Sequence, residues 1–397
     1  MTPGRISVAI DGSAWDHDTG FGRYVREMTA ALAERPELHL RLVARPSASR
    51  VEGLPGGLRG VEFVHPEGLH AAAHAGRSVA AVGRAMRQWA SIVADVIWFP
   101  SVTGFVPVLG HVPVVVGVHD TIGHRYPRET FGSATAALAW RLKTRVAVTQ
   151  ATRIVTVSSH AEARLREDLG MSPDQLRVVG EGVSAAFEPV PTAIARRRLG
   201  SLWSRLGGGD PSSSHLVVWH GAMTPHKNLT RLVEAFARST STPGVPDAAL
   251  VLVGEPPRHA TGVIEELTRL GRLKAPRRVI LTGHVDDETL RDLLSVARVA
   301  VLPSIEEGYG LTAIEAAACG VPVVATRYSA IPEVLGDAAL IVDPLDIDGL
   351  AGAITMLLRD EAAWAVLRAR SVERARDLTW ARAADQLAAV FREVARR

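Results

Sequence analysis

Residues 299–326, VAVLPSIEEGYGLTAIEAAACGVPVVAT, carry the pattern from which the rest of the chain is ordered. Val299 to Leu302 is a short apolar run that stops at Pro303-Ser304, as a buried parallel strand does. Leu311 to Cys319 reads as a helix ended by Gly320 and Pro322, and VPVVAT starts the next strand. Strand, glycine-bearing turn, helix and strand make one repeat of a parallel sheet covered by helices.

The turn inside that repeat carries chemistry. Glu307 falls just past the carboxyl end of the strand, and Glu315 falls about one turn into the helix. Gly308 and Gly310 remove side chains where a ligand approaches backbone, with Tyr309 between them and Leu311 opening the helix. A helix N-terminus favours an anion by roughly 0.3 to 1 kcal/mol when exposed. Each carboxylate accepts hydrogen bonds in pairs, the grip that suits ribose or hexose hydroxyls. Taken alone, Glu307 suits a turn cap and Glu315 a solvated helix face equally well, so the surroundings decide.

Outward from this stretch the same alternation fills both halves. ISVAID, LRLVA, VEFVH, VIWFP, VPVVVGV and RIVTVS are expected strands of the first half, with helices such as Tyr24 to Ala33 and Thr135 to Gln150 between them. HLVVWHG, ALVLVGE, RVILTGH, VAVLP, VPVVAT and ALIVD repeat the pattern in the second. Two Rossmann-like α/β domains with parallel sheets follow. Between them, Phe187 to His215 holds prolines, an arginine-rich helical piece and the run GGGDPSSS, the composition of a linker. Ligands of such sheets bind beyond the strands' carboxyl ends, so two facing sheets would enclose a cleft.

Composition narrows the class. The 397 residues suffice for two or three domains, and 47% hydrophobic with 22% charged residues exclude wholesale disorder. A net charge of +3 is too small to imply a nucleic-acid partner. One cysteine, Cys319, rules out an intramolecular disulfide framework and joins no convincing metal-ligand set. The start MTPGRISVAIDG runs directly into a strand without the stretches of a signal peptide, and no apolar run reaches a membrane span. A cytoplasmic location is the expectation. Arg77, Arg84 and Arg87 with Trp89, or Arg141, Lys143 and Arg145, offer basic helix faces for peripheral contact with anionic lipid, against the plainer reading of solvated arginines.

Further motifs follow the other strands. Gly20 and Gly22 sit in TGFGRY, a glycine turn into a helix that lacks the third glycine of a dinucleotide fingerprint. VPVVVGV ends in His119-Asp120, an imidazole and a carboxylate able to contact a sugar or take a proton, although Asp120 also suits a turn cap. HLVVWHG leads through Gly221 to His226 and Lys227 before a helix, where a lysine neutralises a diphosphate. Gly254 after ALVLV and His284 after RVILTG occupy positions open to a base or ribose.

Taken together, GAMTPHKNLTRLVEAF, LVLVGEP, the run from LTGHVDD to YSAIPEV and GDAALIVDP resemble the donor-binding half of family 4 of the retaining glycosyltransferases, in order and spacing. GFGRYVREM, HDTIGHRYP and VTVSSHAEARL are similar, more loosely, to the branch holding bacterial mannosyltransferases of polysaccharide assembly. The resemblance covers essentially the whole chain. It implies the GT-B fold: an acceptor-binding domain over 1–190, a linker over 191–214, a donor-binding domain over 215–379, and a last helix, 380–397, crossing back. It implies that Glu307 contacts the donor hexose, Glu315 the ribose and Lys227 the diphosphate. Backbone near Gly310 and Leu311 would hold phosphate, Gly20 and Gly22 would leave room for it, and His119 with Asp120 would line the acceptor side or grip the sugar.

One departure matters. Many relatives place an arginine after the glycine equivalent to Gly221, and here Ala222 stands there, with His226 before the lysine instead. The implied reaction is a same-face displacement in which the leaving nucleoside diphosphate takes the acceptor proton, without a cofactor or catalytic metal, and with domain closure assembling the site. The expected partners are a nucleotide-sugar donor, GDP-mannose first and a UDP or dTDP sugar otherwise, and a glycan, polyprenyl-linked or small-molecule acceptor. A nicotinamide-dependent oxidoreductase is disfavoured by the missing glycine fingerprint, and a non-catalytic sugar-nucleotide-binding partner is the remaining alternative.

Overall fold

The computed structural model describes residues 4–17, 19–44, 61–64, 79–206, 215–255, 263–274 and 279–396. The chain divides into two compact units, Met1–Gly182 with Trp380–Arg397, and Val183–Thr379. The terminal helix Trp380–Ala395 thus belongs to the first unit.

Unit 1 is a parallel seven-stranded sheet: β1 Ile6–Asp11, β2 Leu38–Val43, β3 Val61–Val64, β4 Val96–Phe99, β5 Val114–Gly117, β6 Arg153–Thr156 and β7 Leu176–Val178. The spatial order is β3-β2-β1-β4-β5-β6-β7, so the winding reverses between β1 and β4. Strands β4, β5 and β6 are buried throughout, which is why β4 and β5 read as unbroken apolar runs, while β6 opens on Arg153. The terminal helix closes the sheet. Its Phe391 ring packs at 5.8 Å from Trp98, and its Trp380 ring at 5.8 Å from Tyr24. Glu393 accepts from both Arg153 and Arg177, at 2.5 and 2.8 Å, and so pins the helix to β6 and β7.

Unit 2 has a six-stranded parallel sheet: β8 His215–His220, β9 Ala248–Val253, β10 Val279–Gly283, β11 Val299–Leu302, β12 Val323–Thr326 and β13 Ala339–Val342. The order β10-β9-β8-β11-β12-β13 puts its reversal between β8 and β11. The helix Leu229–Thr240 lays Leu232, Val233 and Phe236 on this sheet, and Ile354 and Leu357 of the helix Ile347–Arg359 join the same core.

Three differences from expectation have physical causes. The expected linker opens as a helix, Thr192–Arg205, which buries Leu199 and Trp203 and pairs Arg198 with Asp292 at 3.6 Å within unit 2; residues 207–214 lie outside the described residues. Trp89 is buried against Phe99, with ring centroids 4.7 Å apart, so it cannot contribute to a lipid-facing surface with Arg84 and Arg87, and Arg77 lies outside the described residues. Lys143 is likewise turned inward, its Nζ donating to the Thr103 carbonyl at 2.5 Å. No helix among the described residues is long and apolar enough to cross a membrane.

Candidate functional site

The switch point of unit 2 gathers the principal candidates. After β8 the backbone passes Gly221, at φ 140°, and forms a single 3₁₀ turn, Pro225–Lys227. Asn228 then takes the left-handed conformation, φ 61° and ψ 33°, and the helix Leu229–Thr240 begins. Asparagine tolerates this better than other side-chain-bearing residues. Its buried amide donates to the Pro303 and Pro344 carbonyls at 2.9 and 2.8 Å, while its oxygen accepts from Arg231 at 2.8 Å. The backbone of Ile305 donates to the His226 carbonyl at 2.8 Å. These bonds lock the loop after β8 to the loop after β11.

Lys227 and Glu307 meet across that junction, Nζ to Oε1 at 2.5 Å, and Ser304 donates to the same carboxylate oxygen at 2.7 Å. Burial opposes the charge on Glu307, but Lys227 and Ser304 outweigh it and hold the carboxyl below its ordinary range. His226 goes the other way. Burial and the adjacent Lys227 push its pKa down to about 4, so it is neutral near pH 7 and does not replace the missing arginine's charge. Its Nε2 lies 3.2 Å from the Thr224 hydroxyl.

Beyond Glu307 the chain runs through Gly308 and the buried Tyr309 to Gly310, at φ 96°, which precedes the helix Leu311–Ala318. A Cβ at Gly310 would meet Ile331 Cγ1 at 2.9 Å, so both conformation and space require glycine. Glu315 is buried in this helix, with Oε2 3.7 Å from His220 Nδ1, and His220 Nε2 lies 3.1 Å from the Thr312 carbonyl. His220, at the end of β8, therefore ties Glu315 and the first turn of the helix to the loop of Gly221.

Two further candidates take different parts. A Cβ on Gly254, at φ 129°, would lie 2.0 Å from the Gly221 carbonyl oxygen; this glycine serves backbone packing. His284 is exposed beyond β10, the edge strand, and no contact brings it to Lys227 or Glu307 among the described residues.

In unit 1, Gly20 is exposed at the start of the helix Gly20–Ala33, and Thr19 caps it by accepting from the Gly22 amide at 3.3 Å. A Cβ on Gly22 would lie 2.0 Å from the His17 carbonyl, so its bareness is used by the preceding loop. His119 is partly buried between aromatic edges, Tyr24 at 4.5 Å and Phe21 at 5.0 Å. Its Nε2 lies 2.9 Å from the Pro100 carbonyl and its Nδ1 3.2 Å from the Glu181 carboxylate. Asp120 caps the following turn, accepting from the Ile122 amide at 2.9 Å. Asp11, at the end of β1, is raised to about 6 by burial although Ser13 donates to it.

Sequence reasoning missed His220, Asn228, Ser304, Glu181 and Asp11. Asn228 alone had a signal, an asparagine immediately before an apolar helix; His220 and Glu181 act through partners far away in sequence, and Ser304 and Asp11 through residues two or three positions on whose geometry the sequence does not display.

Family models match most of the chain. Residues 19–187 match Glycosyltransferase Family 4, and residues 214–360 match Glycosyl transferases group 1. The chain belongs to the family 4/group 1 glycosyltransferases.

The chain is 35% identical over 253 residues to D-inositol 3-phosphate glycosyltransferase of Acidothermus cellulolyticus, covering 62% of this chain and 54% of that one. It is 31% identical over 295 residues to MMP alpha-(1->4)-mannosyltransferase of Mycolicibacterium hassiacum, covering 70% and 65%. These matches span about half to two thirds of the relatives' lengths. Among solved structures, sucrose-phosphate synthase from Thermosynechococcus elongatus superposes with a TM-score of 0.72 at 22% identity over 98% of this chain and 99% of that one. WaaG, a glycosyltransferase involved in lipopolysaccharide biosynthesis, gives 0.70 at 14% identity over 97% and 99%. HepE of Anabaena, in complex with UDP-glucose, gives 0.72 at 18% identity over 98% and 100%. The architecture is GT-B.

Proposed function

We propose that this glycosyltransferase moves a hexosyl group from a nucleotide sugar, GDP-mannose first among the candidates, to a hydroxyl of a glycan, polyprenyl-linked or small-molecule acceptor, with retention of configuration. The observation that carries the reading is the Lys227–Glu307 pair at the switch point of unit 2, beside the helix that starts at Gly310. An ammonium, a carboxylate held ionised and first-turn N–H groups match the three chemistries of a nucleotide sugar: diphosphate, sugar hydroxyls and phosphate oxygens.

In the proposed step the bond from the sugar's anomeric carbon to the diphosphate oxygen breaks as a bond to the acceptor oxygen forms on the same face. The acceptor's proton passes to the departing phosphate. Lys227 and the helix N-terminus stabilise the negative charge that grows there, and Glu307 orients the sugar. Glu315, steadied by His220, grips the ribose. With Ala222 in place of an arginine and His226 neutral, Lys227 is the principal side-chain cation of this scheme. No cofactor and no metal enters it.

Mannosyltransferase names among the relatives favour a mannosyl donor. The neighbour holding UDP-glucose supports a second reading, a UDP sugar. A thermal-shift screen against GDP-mannose, UDP-glucose, UDP-N-acetylglucosamine and dTDP-glucose separates them. A donor at about 100 times its dissociation constant stabilises by about 2.7 kcal/mol, and the Lys227→Ala variant should lose that shift. Equal silence toward all four donors would overturn the donor-binding reading. The anomeric signal of a transferred sugar, read by NMR, tests retention.

A further inference from the structure

The helix Ala134–Gln150 of unit 1 carries exposed apolar side chains on its outer face. Leu138, Leu142 and Val146 are 68%, 63% and 38% exposed, and their spacing of four residues places them in one stripe. Thr144 and Ala147 of the same helix are buried, so the helix already has its core face and the stripe is surplus to it. The stripe is extended at its far end. Gln150 exchanges side-chain hydrogen bonds with both the amide and the carbonyl of Val108, at 2.9 and 2.6 Å, which ties the neighbouring Leu109, 51% exposed, to the helix's last turn. Scattered exposed leucines are ordinary, but a row on successive turns of one helix is a patch.

The charge on the helix itself is of one sign. Arg141 and Arg145 are exposed and three residues on from Leu138 and Leu142, so they flank the stripe. No acidic residue occurs between Glu129 and Glu162, a stretch that contains the whole helix. The exposed Glu129 lies on the short helix Pro127–Thr130 that precedes it, and on the helix Ser159–Leu169 Glu167 is engaged with Arg164 at 2.7 Å and Asp168 with Arg125 at 3.7 Å. Lys143 points inward to Thr103 and takes no part.

We infer that this face docks on an anionic phospholipid surface, with Leu138, Leu142, Val146 and Leu109 entering the headgroup boundary and Arg141 and Arg145 meeting lipid phosphates. An apolar stripe edged by arginines, with their aliphatic stems able to lie along it, is the chemistry of an interfacial helix. A protein partner of ordinary surface composition would not demand a helix that carries no acid of its own. The surface goes beyond the donor site, and its test needs no turnover.

The full chain is mixed with vesicles of phosphatidylcholine alone, or with about 30% phosphatidylglycerol, and floated on a density gradient. Wild-type protein is expected to float with the anionic vesicles, weakly with the neutral ones, and to be released by about 0.5 M salt. Leu138→Glu/Leu142→Glu should lower the anionic partition at least about tenfold with an unchanged melting temperature, because both positions are exposed. Arg141→Gln/Arg145→Gln should lower it by roughly fivefold or more on anionic vesicles and little on neutral ones. Wild-type protein that stays with neither vesicle, or leucine variants that float as well as wild type, would overturn the inference. So would a concentration-dependent dimer abolished by the leucine substitutions, which would make a second copy of the chain the occupant.

Discussion

Lys227 Nζ stands 2.5 Å from Glu307 Oε1, joining two loops eighty residues apart in sequence at the reversal of the second sheet. Both side chains are largely buried, so each is the other's compensation for lost water. Lys227→Ala leaves a buried carboxylate unpaired and should cost about 2–3 kcal/mol in urea unfolding. Adding Glu307→Gln should restore much of that stability, since a neutral amide tolerates the site better, yet should not restore donor binding in the thermal-shift screen. Recovery of both would show that Lys227 acts only as a structural counter-ion.

Asn228 tests the scaffold beneath the pair. Asn228→Gly keeps the left-handed backbone accessible but removes the bonds to Pro303 and Pro344. A loss of about 2–3 kcal/mol, with weaker donor binding in isothermal titration, is expected. If binding is unchanged in the folded variant, the loops are positioned by other contacts.

Glycine substitutions separate packing from ligand approach. Gly254→Ala puts a Cβ within 2.0 Å of the Gly221 carbonyl at φ 129°, and should cost about 3 kcal/mol or more. Gly310→Ala meets the buried Ile331 side chain rather than backbone, at 2.9 Å and φ 96°, and should cost less, about 1–2 kcal/mol. Chemical denaturation of the two variants gives the order, which would reverse if Ile331 were rigidly held.

The anchor of the terminal helix is sensitive to acid. Glu393 has its pKa lowered from 4.5 to about 2 by hydrogen bonds from Arg177 and Arg153. A carboxyl depressed on folding stabilises above its unfolded pKa, so the contribution is complete above about pH 5 and lost as pH falls from about 4.5 to 2. Because the carboxylate is partly exposed, the pair is worth about 1 kcal/mol after screening. Glu393→Gln should lower stability by that amount at pH 7 and flatten the acid limb of the stability profile over the same window.

The strands of the second unit were legible because buried parallel strands are written as unbroken apolar runs, and all six expected ones form. In the first unit, β7, three residues long and partly exposed, offers no period to read. The arginine-rich helical piece expected between Phe187 and His215 forms as Thr192–Arg205, but that it packs into the second unit through Leu199 and Trp203 was not legible among the prolines and glycines of a linker-like stretch. At the site, Lys227 and Glu307 were visible as residue types placed after strands. Their direct contact was not, since it depends on Asn228 bonding to Pro303 and on Ile305 bonding to His226, which draw two distant loops together. Gly22 and Gly254 were read as space for a ligand and are used by neighbouring backbone, a distinction that a one-dimensional pattern does not carry.

The first unit is discontinuous: its sheet is encoded before residue 183 and its closing helix begins only at Trp380. During synthesis the apolar flank that Phe391 and Trp380 will cover is made long before its cover exists. The ribosome delivers the whole of the second unit in that interval. The second unit is therefore complete on the chain before the first, although the first begins earlier along the message.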